Sequence, residues 1–282
     1  MGPISRFHIT IAASLAIIPI LYFLIINNQI VGYLLYAALA YVIYNLISAG
    51  IKGGNILRDR MIVMLILITF NVVFWACFEQ AGSSLTLFAD RNVNRVIFGY
   101  EIGAGTTQFF NPAFIMIFGS IFSLMWVKLS KIGKNPNIPM KFGLGILQLG
   151  LGYLVVFLGS QFAHEYLVPL WTLVFLYLLH TTGELFLSPI GLSMITKLAP
   201  KEMTGTMMGA WFLSFAFANW FAAILAKATG ATAEAGAEVL SKSESLTVYL
   251  DVYTTMGLIT VGIGLFLVLI SKPLNKLMHG VE

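Results

Sequence analysis

Apolar residues dominate the chain in long runs that short polar segments interrupt. The runs cover residues 8–26, 31–48, 61–80, 109–127, 142–160, 168–190, 206–226 and 248–271. Each is close to the roughly 20 residues that a helix needs to cross the hydrocarbon core of a bilayer. Lipid offers no hydrogen-bond partner to the backbone, and the runs lack the strict alternation of barrel strands. The pattern therefore predicts an all-α membrane protein with eight transmembrane helices.

Composition excludes several other classes of protein. Of the 282 residues, 59% are hydrophobic and only 10% are charged, against about 25% charged in a soluble domain. Soluble globular folds and disordered chains are both excluded by these figures. A net charge of +4 without a clustered basic face also excludes a nucleic-acid partner. The single cysteine, Cys77, supports neither an intramolecular disulfide nor a thiolate metal site.

The polar segments divide the chain into three parts. Only four residues, 27–30, separate the first two runs, which predicts a helical hairpin within residues 1–50. The first run carries a single basic residue before it and no clear cleavage site after it, so we interpret it as a retained helix. Residues 51–60, rich in glycine and basic residues, are predicted to be a cytoplasmic linker. The remaining residues, 61–282, form a six-helix bundle.

The distribution of basic residues predicts the orientation. With the amino terminus in the cytoplasm, 12 of the 16 lysines and arginines fall on the cytoplasmic side, and four fall outside. The four are Arg91, Arg95, Lys227 and Lys242. Because basic residues concentrate in cytoplasmic loops, both termini are predicted to be cytoplasmic. Two longer outer loops are then expected near 82–105 and 228–247.

Two acidic residues, Glu79 and Glu184, fall inside apolar runs. An ionised carboxylate at the centre of a bilayer costs at least ~2.5 kcal/mol, so such a group faces the bundle interior, finds a cation, or stays protonated. A carboxylate that alternates between a cation and a proton is a proton carrier. Glu79 lies close to the end of its run, and a structural or interfacial ion pair is the alternative there.

The surroundings of Glu184 indicate a polar site. His180, Glu184 and Ser188 are spaced four residues apart, which puts them on one stripe of a helix. Pro189 removes a backbone donor and favours a kink next to this stripe. The alternative is a hydrogen-bonded seam between helices that binds no ligand. For His180 and Pro189, packing and a passive kink are the simpler interpretations.

Aromatic and amide side chains accompany the two acids. Trp75 lies one turn before Glu79 and shares its face, and Trp211 lies in a later run with polar neighbours. An aromatic cavity with a few fixed charges suits a zwitterion with variable apolar side groups. Asn111, beside Pro112 at the start of a run, offers an amide to a ligand, with helix capping as the alternative. Packing is the alternative for both tryptophans.

Three motifs carry a family resemblance. The stretches FWACFEQAGSSLTLFADRN (74–92), FGYEIGAGTTQFFNPAFIMIF (98–118) and GELFLSPIGLSMITKLAP (183–200), the last followed by TGTMMGAWFL (204–213), resemble the proton-dependent oligopeptide transporters. That family belongs to the major facilitator superfamily. The resemblance covers residues 60–282.

The resemblance implies a fold and a missing part. The six later spans look like the second six-helix bundle of a major facilitator fold, and the leading hairpin looks like the accessory pair between the bundles of bacterial members. The first bundle of the family, with its E-x-x-E-R motif, has no counterpart in this sequence. The chain therefore resembles the C-terminal half of a transporter, with an N-terminal six-helix bundle as its partner.

Residue roles follow only from the resemblance. Glu184 matches the glutamate that receives the peptide's α-ammonium group, with Ser188 beside it. Asn111 matches an asparagine that contacts the peptide, and the tryptophans Trp75 and Trp211 match pocket aromatics. One further acid, Glu79, matches the residue that exchanges between a proton and an arginine of the first bundle. The resemblance implies no role for His180.

These expectations combine into a functional hypothesis. The chain is expected to be the C-terminal half of a proton-coupled symporter for di- and tripeptides in the bacterial inner membrane, with H⁺ as coupling ion and no other cofactor. A carrier of another small solute and a truncated bundle that does not transport are the alternatives. A membrane enzyme is not expected, because no nucleophile–base pair, metal-ligand cluster or phosphate loop is legible in the sequence.

Overall fold

A computed structural model describes residues 6–230 and 240–281. Within these ranges the chain forms nine α-helices, eight of which are long and apolar enough to cross a membrane, which confirms the predicted class. The helices are α1 (Arg6–Ile26), α2 (Asn28–Lys52), α3 (Gly54–Phe78), α4 (Ser84–Asn92), α5 (Phe110–Lys131), α6 (Ile138–Ser160), α7 (Trp171–Leu198), α8 (Thr204–Ala228) and α9 (Lys242–Leu277).

The described residues divide into two compact units between Asn45 and Leu46. The first contains α1 and most of α2, and its apolar side chains are largely exposed, as expected of lipid-facing helices. One residue, Asn27, joins the two helices, instead of the predicted four. Its backbone N–H donates to the carbonyl of Phe23 and its carbonyl accepts from Val31. Helix-type hydrogen bonds thus continue through the joint, and α1 and α2 make few contacts with each other.

The second unit contains the helix bundle. Its most extensive helix contacts join α6 to α9, α6 to α7, and α3 to α8, and α5 packs on α7. Successive long helices are antiparallel, so their ends form two faces. We define the basic end as residues 53–60, 128–141, 197–204 and 272–281. The opposite end holds residues 79–109 and 161–170.

Short segments close the opposite end of the bundle. A 3₁₀ turn, Glu79–Gly82, follows α3, and a longer 3₁₀ helix, Ala104–Phe109, leads into α5. Four two-residue strands pair there. They are β1 (Val93–Asn94) with β4 (Val168–Pro169), parallel, and β2 (Val96–Ile97) with β3 (Tyr100–Glu101), antiparallel. The Asn92 amide donates to the carbonyls of Tyr166 and Lys242 and accepts from Ser245, which ties three segments together.

Helix ends differ from the sequence prediction where charged residues continue a helix. Residues 54–60 of the predicted linker belong to α3, because the charges there have partners. The Asp59 carboxylate pairs with Arg58 at 3.2 Å and with His279 at 2.9 Å. The outer loop near 82–105 contains α4, and α9 begins six residues earlier than predicted. Residues 231–239 of the other predicted loop, 228–247, lie outside the described residues.

Glycines bring α6 and α9 into backbone contact. A Cβ atom at Gly264 would lie 2.6 Å from the backbone nitrogen of Leu147 and 2.9 Å from the carbonyl oxygen of Gly143. Seven residues away on each helix, a Cβ atom at Gly150 would lie 2.8 Å from the carbonyl oxygen of Gly257. Only residues without a side chain allow this approach. We call these four glycines the glycine seam.

We expect Gly264→Val to destabilise the bundle, because the added carbons meet backbone that has no room to yield. Overpacking of this kind costs about 1–3 kcal/mol. Gly262→Val is the matched control, since this glycine lies in the same helix and a Cβ atom there meets nothing within 4 Å. Thermal unfolding of the purified variants in one detergent measures the difference. Equal melting temperatures for the two variants would contradict the seam.

Candidate functional site

Glu184 lies near the middle of α7 and receives a hydrogen bond from another helix. The Asn111 Nδ2 donates to Glu184 Oε2 at 3.1 Å and to Thr181 Oγ1 at 3.0 Å. Thr181 precedes Glu184 by three residues, so both acceptors lie on one face of α7. The Glu184 side chain is half-buried. One amide thereby holds the carboxylate of an interior glutamate in a fixed position.

Asn111 can reach Glu184 because of how α5 begins. The 3₁₀ helix Ala104–Phe109 precedes α5, so the span starts well before Asn111. At its start, Thr107 Oγ1 donates to the carbonyl of Ala104, and Gln108 donates to Thr86 Oγ1 at 2.8 Å. The Asn111 side-chain amide donates its hydrogen bonds to residues of α7, and it does not cap the amino-terminal end of α5. This geometry differs from the capping alternative.

Glu79 is the first residue of the 3₁₀ turn that ends α3. Its side chain is half-buried, and among the described residues its carboxylate makes no hydrogen bond and no ion pair. An electrostatic effect of Glu79 reaches the Glu184 carboxyl, although 105 residues separate the two in the sequence. This effect is smaller there than the effects of burial and of the Asn111 hydrogen bond.

A buried polar network fixes the turn that carries Glu79. The Gln80 amide donates to the carbonyls of Ala76 and Ala222, and its oxygen accepts from Ser84 at 2.7 Å. The Tyr253 hydroxyl in turn donates to Ser84 Oγ at 3.0 Å. Because Gln80 and Ser84 are fully buried, these bonds are shielded from competing donors. The Gln80 and Ser84 side chains therefore tie the turn that begins at Glu79 to α8 and α9.

Trp75 lies one turn before Glu79 on α3. Its ring contacts Phe215 of α8 at 5.0 Å between centroids and Phe78 at 5.1 Å. The side chain is half-buried, so part of the ring stays accessible beside the acid. The geometry allows both the packing and the pocket interpretation of this residue.

Trp211 is placed differently from the sequence expectation. Only 4% of its surface is exposed, and its ring lies against Gly191 of α7, where a Cβ atom would come within 2.2 Å of the ring. Gly191 is seven residues beyond Glu184, which is about 10 Å along the helix axis. Burial against Gly191 leaves almost none of the ring free for a ligand. In the described structure Trp211 is a packing residue that closes the space between α7 and α8.

Ser188 and His180 flank Glu184 on the predicted stripe. Ser188 is exposed one turn after Glu184. His180 is 1% exposed, and its ring packs on Tyr153 at 4.8 Å and on Phe78 at 6.1 Å. A Cβ atom at Gly152 would lie 2.5 Å from the His180 ring, so the glycine makes room for it. This burial favours the packing interpretation of His180.

Sequence reasoning missed the residues that hold the two acids in place. Thr181, Gln80 and Ser84 are ordinary polar residues, and their roles depend on partners in distant segments. The one available signal was that Gln80 and Ser84 follow Glu79 at spacings that put them near each other on a helix. Within residues 6–230 and 240–281, no group of three or more His, Cys, Asp or Glu side chains is arranged to hold a metal ion.

Comparison with known protein families and with curated proteins shows that this chain is similar to transporters. A family model described as the POT family matches residues 55–246. The chain is 36% identical over 231 residues to an uncharacterized transporter, YclF, of Bacillus subtilis, covering 82% of this chain and 43% of the relative. It is 34% identical to the dipeptide and tripeptide permease A of Edwardsiella piscicida, covering 82% of this chain and 46% of the permease. The chain thus spans about half the length of the curated relatives it matches.

Solved structures that resemble this chain also include transporters. A crystal structure of the peptide transporter POT in complex with sulfate superposes with a TM-score of 0.74 at 29% identity. The match covers 99% of this chain and 56% of that one. A complex of a variant of the same transporter with alafosfalin matches with a TM-score of 0.74 at 28% identity, covering 99% of this chain and 55% of that one. The helices described above are therefore arranged like half of a solved transporter.

Proposed function

This chain belongs to the POT family of transporters, and from that premise we propose that it is the C-terminal half of a proton-coupled symporter for di- and tripeptides. The observation that carries the proposal is the pair of interior carboxylates. Glu184 is held by Asn111, and Glu79 lies within electrostatic reach of it without a cation of its own among the described residues. The similar protein from Edwardsiella piscicida is named a dipeptide and tripeptide permease, which supports peptides as the substrate class.

Glu184 is the proposed receptor of the peptide's α-ammonium group. Asn111 occupies one carboxylate oxygen of Glu184, which leaves the other, Oε1, free of hydrogen bonds among the described residues. An ammonium group supplies three donors and a positive charge, and a charge-assisted hydrogen bond is the strong kind. Asn111 and the exposed Ser188 then offer polar contacts to the peptide, and Trp75 offers an apolar wall. Trp211 contributes indirectly, because its ring packs against Gly191 on α7, the helix that carries Glu184.

Glu79 is the proposed coupling group. Two nearby carboxylates repel each other, so the pair is more stable when a cation neutralises one of them or when one of them carries a proton. We infer that Glu79 pairs with an arginine of the N-terminal bundle in one state and takes a proton in the other. Protonation then releases the arginine and weakens the contact between bundles. Because moving one charge inward gains about 2.3 kcal/mol per 100 mV, proton entry can drive accumulation of a peptide.

The proposed orientation has both termini in the cytoplasm. Lysines and arginines concentrate at the basic end, which then faces the cytoplasm of a bacterial inner membrane. Glu79 lies at the opposite end, where protons enter from outside. The N-terminal bundle would supply the basic residues for the peptide carboxylate, so transport requires both halves.

Uptake into proteoliposomes tests this function. We expect the chain joined to its N-terminal bundle to accumulate a labelled dipeptide when an inward proton gradient is imposed, and to lose accumulation when a protonophore dissipates the gradient. Excess unlabelled dialanine should compete. Accumulation that dialanine leaves unchanged would contradict a binding site shared by small peptides. No uptake of the dipeptide by the joined protein would contradict peptide transport and favour another small solute or a bundle that does not transport.

The chain without the N-terminal bundle is the matched control. We expect it to insert into the same vesicles and to take up no labelled peptide. Without the N-terminal bundle, the peptide carboxylate has no basic residue to bind and Glu79 has no arginine partner. Uptake by this chain alone would contradict the proposed division of the site.

A further inference from the structure

Lys141 is a buried cation in an unfavourable part of a helix. It lies in the first turn of α6, four residues after the capping residue Asn137, and only 7% of its surface is exposed. The amino-terminal end of a helix carries the positive end of the helix dipole, which disfavours a cation and favours an anion. Partial burial of an unpaired charge costs free energy as well. A negative group beside this lysine would therefore be stabilising.

The described residues provide no negative partner for Lys141. Among residues 6–230 and 240–281, its ammonium group makes no hydrogen bond and takes part in none of the four ion pairs. Its ammonium group lies over the Trp126 ring, with the ring centroid 4.3 Å from Nζ. The edge-to-face contact of Trp126 with Phe186 holds this ring in place. A ring attracts a cation but leaves most of the three N–H donors of an ammonium group unsatisfied.

Lys141 lines a polar pocket at the basic end. The pocket has a volume of about 330 Å³ and lies where the end of α5, the start of α6 and the end of α9 meet. Its polar members are Ser130, Asn135, Asn137, Asn275 and Lys141, and no carboxylate of residues 6–230 or 240–281 lines it. Residues with hydroxyl, amide and ammonium groups that line one pocket can supply hydrogen-bond donors to an anion.

Several of these donors are free. The side chains of Ser130, Asn135 and Asn275 make no hydrogen bond among the described residues, whereas Asn137 uses its oxygen to cap α6 at Met140. Further basic residues, Lys131, Lys134 and Lys276, are sequence neighbours of pocket residues at the same end of the bundle. Such a basic pocket beside the ends of spanning helices has the chemistry that binds lipid head groups.

We propose that the Lys141 pocket binds a phosphate group, with the Lys141 ammonium as the counter-charge and the amide and hydroxyl groups of the pocket as donors. The phosphate comes either from the head group of an anionic phospholipid or from solution. The site is independent of the proposed peptide site, which lies on α3, α5 and α7 nearer the opposite end.

Native mass spectrometry of the full chain tests the proposal. The purified protein is titrated with phosphatidylglycerol, with phosphatidylcholine and, in a separate series, with inorganic phosphate, and the bound molecules are counted. We expect one molecule of phosphatidylglycerol or of phosphate to be retained in preference to phosphatidylcholine. Lys141→Met should weaken this binding about tenfold or more, because it removes a charge-assisted hydrogen bond. Lys141→Arg should retain it.

The control variants distinguish binding in the pocket from general attraction of anions to the lysines at the basic end. Lys272→Met removes a lysine from the same end outside the pocket, and we expect it to leave the preferred site unchanged. Asn275→Leu removes a donor from the α9 wall without changing charge and should weaken binding, so the proposal stays testable even if Lys141→Met fails to fold.

Preference for phosphatidylglycerol alone identifies the lipid as the source, and binding of inorganic phosphate alone identifies a dissolved ion. Equal losses in Lys141→Met and Lys272→Met, or no preferred site for either probe, would overturn the proposal.

Discussion

Glu184→Gln in the transporter completed by its N-terminal bundle is expected to lower the efficiency of peptide uptake about 10- to 100-fold, since a hydrogen bond to a charged group is worth about 1.5–3 kcal/mol. Glutamine keeps the shape of the side chain and an oxygen that can accept from Asn111. It removes the negative charge that faces the ammonium group of the peptide. Initial rates of uptake over a range of dipeptide concentrations measure the effect.

The control for Glu184→Gln is the same substitution at Glu101. This residue lies between α4 and α5, where its carboxylate is 63% exposed and pairs with Arg95 at 2.9 Å. An exposed pair of this kind contributes little, about 0–1 kcal/mol, so Glu101→Gln should transport normally. Uptake at the wild-type rate by Glu184→Gln would reject Glu184 as the receptor of the ammonium group.

Glu79→Gln is expected to abolish accumulation of peptide under a proton gradient while leaving exchange of labelled for unlabelled peptide. Glutamine takes up no proton in the transport cycle, so nothing links substrate movement to the gradient. Glu184 and Asn111 remain, and peptide binding should persist. Gradient-driven uptake and exchange without a gradient, measured in one vesicle preparation, separate the two activities.

Glu79→Asp is the matched variant for this prediction. It keeps a carboxylate on a shorter side chain, and we expect partial accumulation. The network of Gln80, Ser84 and Tyr253 should hold the turn in both variants, because none of its bonds uses the Glu79 side chain. Accumulation above the external concentration by Glu79→Gln would show that the coupling proton binds elsewhere.

The sequence predicts the number of spans well and their ends less well. Long apolar runs determine which segments lie in lipid, and each predicted run falls largely within one helix of the structure. Apolarity alone does not mark where a helix stops. Residues 54–60 carry three charged side chains, yet they remain helical because Asp59 bonds Arg58 and His279 at the aqueous end. The short α4 was missed because its sequence is not apolar enough to form a span.

The candidate site was predictable in part. Glu79 and Glu184 stand out because carboxylates are rare in apolar runs. The bond between Asn111 and Glu184 depends on how two helices are rotated about their axes, and hydrophobic periodicity in lipid-exposed helices hardly constrains that rotation. The resemblance to a family linked these residues where the pattern did not. For Trp211 the same resemblance suggested a pocket residue, and the close approach of Gly191, which the sequence does not reveal, explains its burial.

The glycine seam has a mechanical consequence. Along it, α6 and α9 touch through main-chain atoms at two levels one heptad apart, so no side-chain rotamer change can absorb a sliding motion between them. Any shift would have to break both levels at once. If the proposed transport cycle operates, these two helices therefore suit a stationary frame, against which α3 and α5 would tilt as the site opens to one side of the membrane and then to the other. Distances measured between labels on α6 and α9 should stay constant through such a cycle.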